Sequence, residues 1–132
     1  MSGIVAQCIA KWNGTSWGSL GAGNYLQHKV TDICEYNNKL FVAAGELKSW
    51  DGSQWSNYTF FDVSMNTNIT VTAKELHLFN GEMYILAQNS DLLKYDGANF
   101  INLQIPNSLG NPYCIEDFNG DLYLGTNSGV YK

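Results

Sequence analysis

Two short signatures alternate along the chain, three copies of each, and this internal repeat restricts the fold more than any other feature. The first reads aromatic-Asn/Asp-Gly-x-x-aromatic: Trp12-Asn13-Gly14-Thr15-Ser16-Trp17, Trp50-Asp51-Gly52-Ser53-Gln54-Trp55 and Tyr95-Asp96-Gly97-Ala98-Asn99-Phe100. The second reads aromatic-Asn-Asn/Gly-charged-Leu/Met-aromatic: Tyr36-Asn37-Asn38-Lys39-Leu40-Phe41, Phe79-Asn80-Gly81-Glu82-Met83-Tyr84 and Phe118-Asn119-Gly120-Asp121-Leu122-Tyr123. Asn-Gly, Asp-Gly and Asn-Asn supply the positive φ angles of a type I′ turn, whose twist suits the strands of a hairpin. The flanking aromatics are strand residues that meet across a ladder. Each repeat therefore predicts two tight hairpins, and so four short antiparallel strands, A to D.

Strand A is expected over Thr31–Tyr36, Ala73–Phe79 and Tyr113–Phe118, and strand B over Leu40–Ala44, Met83–Ala87 and Leu122–Gly125. Strand C is expected over Ile9–Trp12, Leu47–Trp50 and Leu92–Tyr95, with Gly129–Lys132 as a fourth candidate. Strand D is expected over Ser16–Leu20, Gln54–Phe60 and Asn99–Ile105. No stretch has a helical period with caps. Aromatics at 14% fit pleated, half-buried surfaces. Four antiparallel strands about every 40 residues are the pattern of a β-propeller blade, with a β-sandwich or β-prism as the alternative. Blades pack on both faces, which accounts for the unbroken apolar run Leu40-Phe41-Val42-Ala43-Ala44.

The segment from Ile9 to Gly21 (IAKWNGTSWGSLG), followed by an aromatic-Asn-Gly-Lys-Leu-Tyr type hairpin, resembles the repeats of bacterial propeller proteins, kelch-like in style and of the mobile-cassette or sensor type. The ending Ser128-Gly129-Val130-Tyr131-Lys132 is similar to repeats of sensor-kinase propellers. The resemblance spans nearly the whole chain and implies an all-β propeller fold while leaving function open. Asn13 stands where such repeats usually have Asp, and Asn38 where they have Gly.

Propellers close with about four to eight blades. Residues 1–132 read as a single propeller half: 1–29 give strands C and D of a shared blade, 30–69 and 70–112 a blade each, and 113–132 strands A and B, with a possible C. Three four-stranded blades per chain would make six as a homodimer, the commonest symmetry for closure. The other reading is a piece of a longer propeller. Ile9–Trp12 and Gly129–Lys132 compete for the strand C position, so the junction is five-stranded or one end is displaced.

The net charge of −5, with seven scattered Lys and Arg, argues against nucleic acid and anionic membranes as partners. No apolar run approaches the roughly 20 residues that span a bilayer. Met1–Lys11 lacks the basic and apolar regions of a signal peptide, so a cytoplasmic location is expected. Three widely spaced cysteines (Cys8, Cys34, Cys114) have no metal spacing and read as free thiols. The sequons at Asn13, Asn57 and Asn68 would matter only in a secreted eukaryotic protein.

In this topology the A–B and C–D turns share one face, where Asn13, Asp51, Asp96 and Asn119 read as structural. The D–A and B–C connections share the other, including the long segments Gly21–Lys29, Asp62–Ile69 and Pro106–Pro112. Long loops on a rigid scaffold carry binding residues. The candidates there are Tyr25, His28, Asn66, Asn68, Asn89, Asp91, Asn107 and Asn127. Cys34, His77 and Glu116 hold equivalent repeat positions on the inner strands and are candidates to line a channel. Their residue types ligate transition metals, but adjacent blades should hold them many ångströms apart, so no metal or other cofactor is expected.

No G-x-S-x-G, no paired-carboxylate signature and no nucleophile beside a base is visible. Ser49-Trp50-Asp51-Gly52 is faintly similar to the structural Asp-box of sialidases, with different spacing. The expectation is a non-catalytic binding module for an unknown protein, small-molecule or glycan ligand. A propeller hydrolase or lyase and a glycan-binding lectin, whose tryptophans stack on sugar, are the alternatives.

Overall fold

The computed structural model describes residues 8–20, 26 and 28–132. Within them the chain is all-β, built from several small antiparallel sheets. Strands β1 (Ala10–Trp12) and β2 (Trp17–Ser19) form a hairpin. β3 (Asp32–Tyr36), β4 (Lys39–Trp50) and β5 (Trp55–Asn57) form a second sheet. β6 (Thr59–Asp62) and β7 (Thr67–Thr70) form a second hairpin, and β8 (Thr72–Ala73) rejoins β4. β9 (Glu75–Phe79), β10 (Glu82–Leu86), β11 (Leu92–Tyr95) and β12 (Phe100–Asn102) make a four-stranded meander. A one-turn 3-10 helix (Asn107–Leu109) leads to the last sheet, β13 (Pro112–Phe118), β14 (Asp121–Thr126) and β15 (Gly129–Tyr131). Among the described residues no helix is long and apolar enough to cross a membrane.

The repeated turns explain the hairpins. Asn37-Asn38, Asn80-Gly81 and Asn119-Gly120 all have positive φ at both residues, as a type I′ turn requires. The other turn differs from expectation. Trp12 pairs with Trp17, Trp50 with Trp55 and Tyr95 with Phe100, so each of these loops has four residues. Only its Gly has positive φ, at +99° to +104°. The Asn or Asp side chain takes over the turn: Asp51 Oδ1 accepts the N–H groups of Ser53 and Gln54, both at 2.8 Å. Asn13 and Asp96 do the same. The paired aromatics touch across the ladder, with ring centroids 5.4 Å apart at Trp12–Trp17 and Trp50–Trp55.

Among the described residues, only β9–β12 has all four expected strands of a repeat in meander order. In the preceding one, strands B and C run on as the single strand β4, which pairs with β3, β8 and β5 in turn and curls the sheet into a half-barrel. The link between B and C explains this. In the later repeat Ala87–Asp91 closes a turn, with Ala87 N–H donating to Asp91 O and Ser90 in the left-handed region at φ +72°. The earlier repeat offers only Gly45-Glu46. There Gly45, at φ +76°, bends β4 without reversing it, and both residues pair with β8. The expected strand Gln54–Phe60 splits into β5 and β6, and the expected loop Asp62–Ile69 is mostly hairpin, with β7 covering Thr67–Thr70. Asp62 Oδ1 accepts the Ser64 and Met65 N–H groups in its turn.

The main core lies between β3–β5 and β9–β12. Phe41, Ala43 and Leu47 from β4 meet Met83 and Ile85 from β10, with Tyr36 and Tyr95 at the edge. Alternate residues of β4, Val42 and Ala44, point to the opposite face and pack with Leu26, Ile9 and Val30. β4 is thus buried on both faces, which is why its apolar run does not alternate. Each fully buried residue the size of Phe41 or Met83 contributes roughly 1.5–3 kcal/mol.

Candidate functional site

β3, β9 and β13, the first strand of each repeat, carry the same side-chain links from one repeat to the next. Asp32 Oδ2 accepts the Leu76 N–H at 2.8 Å, and Glu75 Oε1 accepts the Ile115 N–H at 3.2 Å. Asp32 and Glu75 are equivalent repeat positions, as are Leu76 and Ile115. Thr31 Oγ1 adds a hydrogen bond to Lys74 O at 2.7 Å, and Lys74 Nζ one to Pro112 O at 3.0 Å. These links hold the repeats in a fixed relation, so that equivalent loops fall side by side.

One such loop group encloses a polar cavity of about 270 Å³. Asn89, Ser90 and Asp91 come from the β10–β11 turn, and Asn107, Gly110 and Asn111 from the β12–β13 connection. Asn89 Nδ2 donates to Asp91 Oδ2 at 2.8 Å, fixing the carboxylate at the rim. Asn127, from the β14–β15 turn, accepts the Asn111 N–H at 3.0 Å through Oδ1 and holds that wall. Gly110 has φ +79°, and a Cβ there would run into Asn127 Oδ1 and lie 2.6 Å from Ser128 Oγ. Thr126 Oγ1 donates to Leu109 O at 2.7 Å beneath it. A second, more apolar cavity of about 160 Å³ lies on the other side of Asn89 and Asp91, between Phe60, Thr72 and Leu93.

Asn89, Asp91, Asn107 and Asn127, spread over some 40 residues of sequence, therefore meet at one place. Asn66 and Asn68 do not line it: Asn66 sits in the β6–β7 turn at φ +51°, and Asn68 pairs with Phe61. His28 is exposed and lays its ring against Gly45, where a Cβ would be 3.3 Å away. Tyr25 lies outside the described residues. Ser90, Gly110 and Asn111 were not singled out from sequence; the longer Ala87–Asp91 link and the Gly110-Asn111-Pro112 run are the signals that mark them.

The candidates expected to line a channel divide as well. His77 Nε2 lies 3.8 Å from Glu116 Oε1, much closer than neighbouring strands were expected to hold them. Asp117, not a candidate from sequence, accepts from His77 Nε2 at 2.8 Å. Cys34 is not in this group. Burial pushes its thiol pKa up, and the Asp32 and Glu35 charges add to this, which favours the thiol over the thiolate. Compared with known proteins, the chain matches no protein-family model, no curated protein sequence and no solved structure.

Proposed function

We propose that the chain is half of a six-bladed β-propeller that closes as a homodimer, and that it serves as a non-catalytic binding module. The observation that carries the reading is the exposure of one repeat position. Leu76 and Ile115 are buried, at 6% and 3% exposure, each beside the inner strand of the repeat before it. Ile33, their equivalent on β3, is 53% exposed. It lines a groove of about 480 Å³ between the β1–β2 hairpin and β3–β4. That groove is where a preceding pair of inner strands would fit, and β13–β14 of a second copy is such a pair. The hydrogen bonding agrees. Ile33 N–H is capped by its own Asp32 Oδ1 at 2.8 Å and needs no acid from a neighbour. β13 in turn has Cys114 where Asp32 and Glu75 stand, and so offers none. β15 already pairs with β14 in the strand C position, so the partner's hairpin adds at the free edge of β15 and the junction sheet has five strands.

The loop-face cavity is the ligand site in this reading. Its amides at Asn107 and Asn111 each offer a donor and an acceptor, and Asp91, held by Asn89, adds one carboxylate. This set suits a small, uncharged, hydroxyl-rich ligand such as a sugar better than an anion. Trp50 and Trp55, half-buried and tilted at 50° to each other, read as packing residues rather than a sugar platform, whereas Trp12 and Trp17, tilted at 47°, are exposed. The test is ligand-observed NMR with a panel of neutral mono- and disaccharides. An Asn107→Ala, Asp91→Asn double variant should retain its melting temperature and lose the transfer signal. Binding unchanged in that variant would move the site elsewhere, and turnover of any panel member would contradict a non-catalytic module.

A further inference from the structure

We propose that His77, Glu116 and Asp117 form a binding site for a divalent transition-metal ion, bridging β9 and β13. Their three donor atoms, one nitrogen and two carboxylate oxygens, all lie within 4.8 Å of one another. Donors about 2.1 Å from a shared zinc-like ion stand roughly 3.0–3.4 Å apart at octahedral or tetrahedral angles. The observed separations from His77 Nε2, 2.8 Å to Asp117 and 3.8 Å to Glu116, straddle that range, so small side-chain rotations suffice. One imidazole with two carboxylates suits zinc, manganese, iron(II) or cobalt, and three protein ligands leave positions for water.

Two further observations separate the cluster from a structural ion pair. First, the repeat does not need it. The links that fasten β3 to β9 and β9 to β13 are the acid-to-backbone bonds of Asp32 and Glu75, present at both junctions. The residues equivalent to the cluster at the first junction are Cys34, His77 and Leu78, and they form no such group among the described residues. Secondly, the negative charge is uncompensated. Glu46, Glu82 and Asp121 each pair with a lysine, whereas among the described residues no lysine pairs with Glu116 or Asp117, which meet only the His77 ring. Glu75 adds a third carboxylate close by. A cation is the natural complement to this field. Binding would displace the Nε2 proton that now bridges His77 and Asp117, freeing the nitrogen lone pair for the metal.

The test is titration of the full chain with Co²⁺, read by calorimetry and by visible absorption. Saturable uptake of one ion per chain is expected, without thiolate-to-cobalt charge transfer, and with the His77 ring signals shifted in the NMR spectrum. His77→Gln should lose the uptake, and so should Glu116→Gln, whose side chain is exposed and whose loss should not disturb folding. Three results would overturn the site: no uptake by the wild type, uptake unchanged in both variants, or charge-transfer bands showing cysteine ligation. The His77 ring shift needs no variant, so the site can be refuted even if His77→Gln fails to fold.

Discussion

Tyr36 and Phe118 occupy the same place in their repeats, the aromatic residue before the type I′ turn, and meet opposite fates. Tyr36 is 8% exposed, donates its hydroxyl to Gly81 O at 3.1 Å and packs edge-on against Tyr95. Phe118 is 63% exposed. The local sequence makes the same hairpin at both, and the difference lies in the neighbouring sheet. β3–β5 has the β9–β12 sheet against it, while among the described residues no further sheet lies beyond β13–β15. With Ile33 bare at the other end, the two ends lack complementary neighbours. A strand signature sets the hairpin, and the next repeat decides whether its face is covered.

The largest effect expected from this contrast is in the core between the first two repeats. Met83 is fully buried there, and Met83→Ala should lower the unfolding free energy by about 2–5 kcal/mol in urea titration. Leu122 holds the equivalent position in the last repeat and is only half-buried, so Leu122→Ala should cost markedly less. Equal losses would mean that the last sheet is as well covered as the middle one, and would break the comparison.

A smaller difference is expected between two copies of one turn. Gly52 and Gly97 have φ +104° and +102°, where any L-residue is strained by roughly 1–2 kcal/mol. A Cβ at Gly52 meets nothing within 4 Å, but at Gly97 it lies 2.7 Å from Asn37 Nδ2 in the preceding repeat. Gly97→Ala should therefore lower the denaturation midpoint more than Gly52→Ala. The reverse order would show that the packing of the Gly97 turn on Asn37 is misplaced.

The smallest effect is electrostatic. Backbone N–H donors, Gln54 first for Asp51 and Asn99 first for Asp96, hold both carboxyls below their ordinary pKa, and the Ser64 hydroxyl does the same for Asp62. A depressed folded-state pKa contributes stability above the unfolded value, near 3.9 for Asp, and that stability is lost as pH falls through the depressed value. Stability should thus be level through neutral pH and decline below about pH 4. Asn13 performs the same role with an amide. An Asp51→Asn, Asp96→Asn variant should keep its turns and show a shallower decline, and an unchanged acid slope would exclude these turns as its source.

The hairpins were legible because turn chemistry is local: Asn-Gly and Asp-Gly announce themselves within four residues. Asn89, Asp91, Asn107 and Asn127 were grouped from the repeat pattern, but the same pattern put Tyr25, His28, Asn66 and Asn68 with them; of these, Asn66, Asn68 and His28 lie elsewhere and Tyr25 is outside the described residues. The fusion of two expected strands into β4 was hidden, since whether Gly45-Glu46 bends or reverses depends on β8 and on the His28 ring lying against it. The β6–β7 hairpin was hidden by its polar Asn-Thr-Asn sequence. Asp117 was missed because Glu35 and Leu78 hold its place in the other repeats and mark no function there.

The proposed closure of a ring by a second copy is tested most directly by equilibrium sedimentation of the wild type and of Phe118→Lys, which sets a charge on the uncovered face. The wild type should sediment at twice the 14.7 kDa chain mass, and the variant as a folded monomer. A wild type that stays a folded monomer at micromolar concentration, or a dimer indifferent to Phe118→Lys, would contradict closure through β13 and the groove at Ile33.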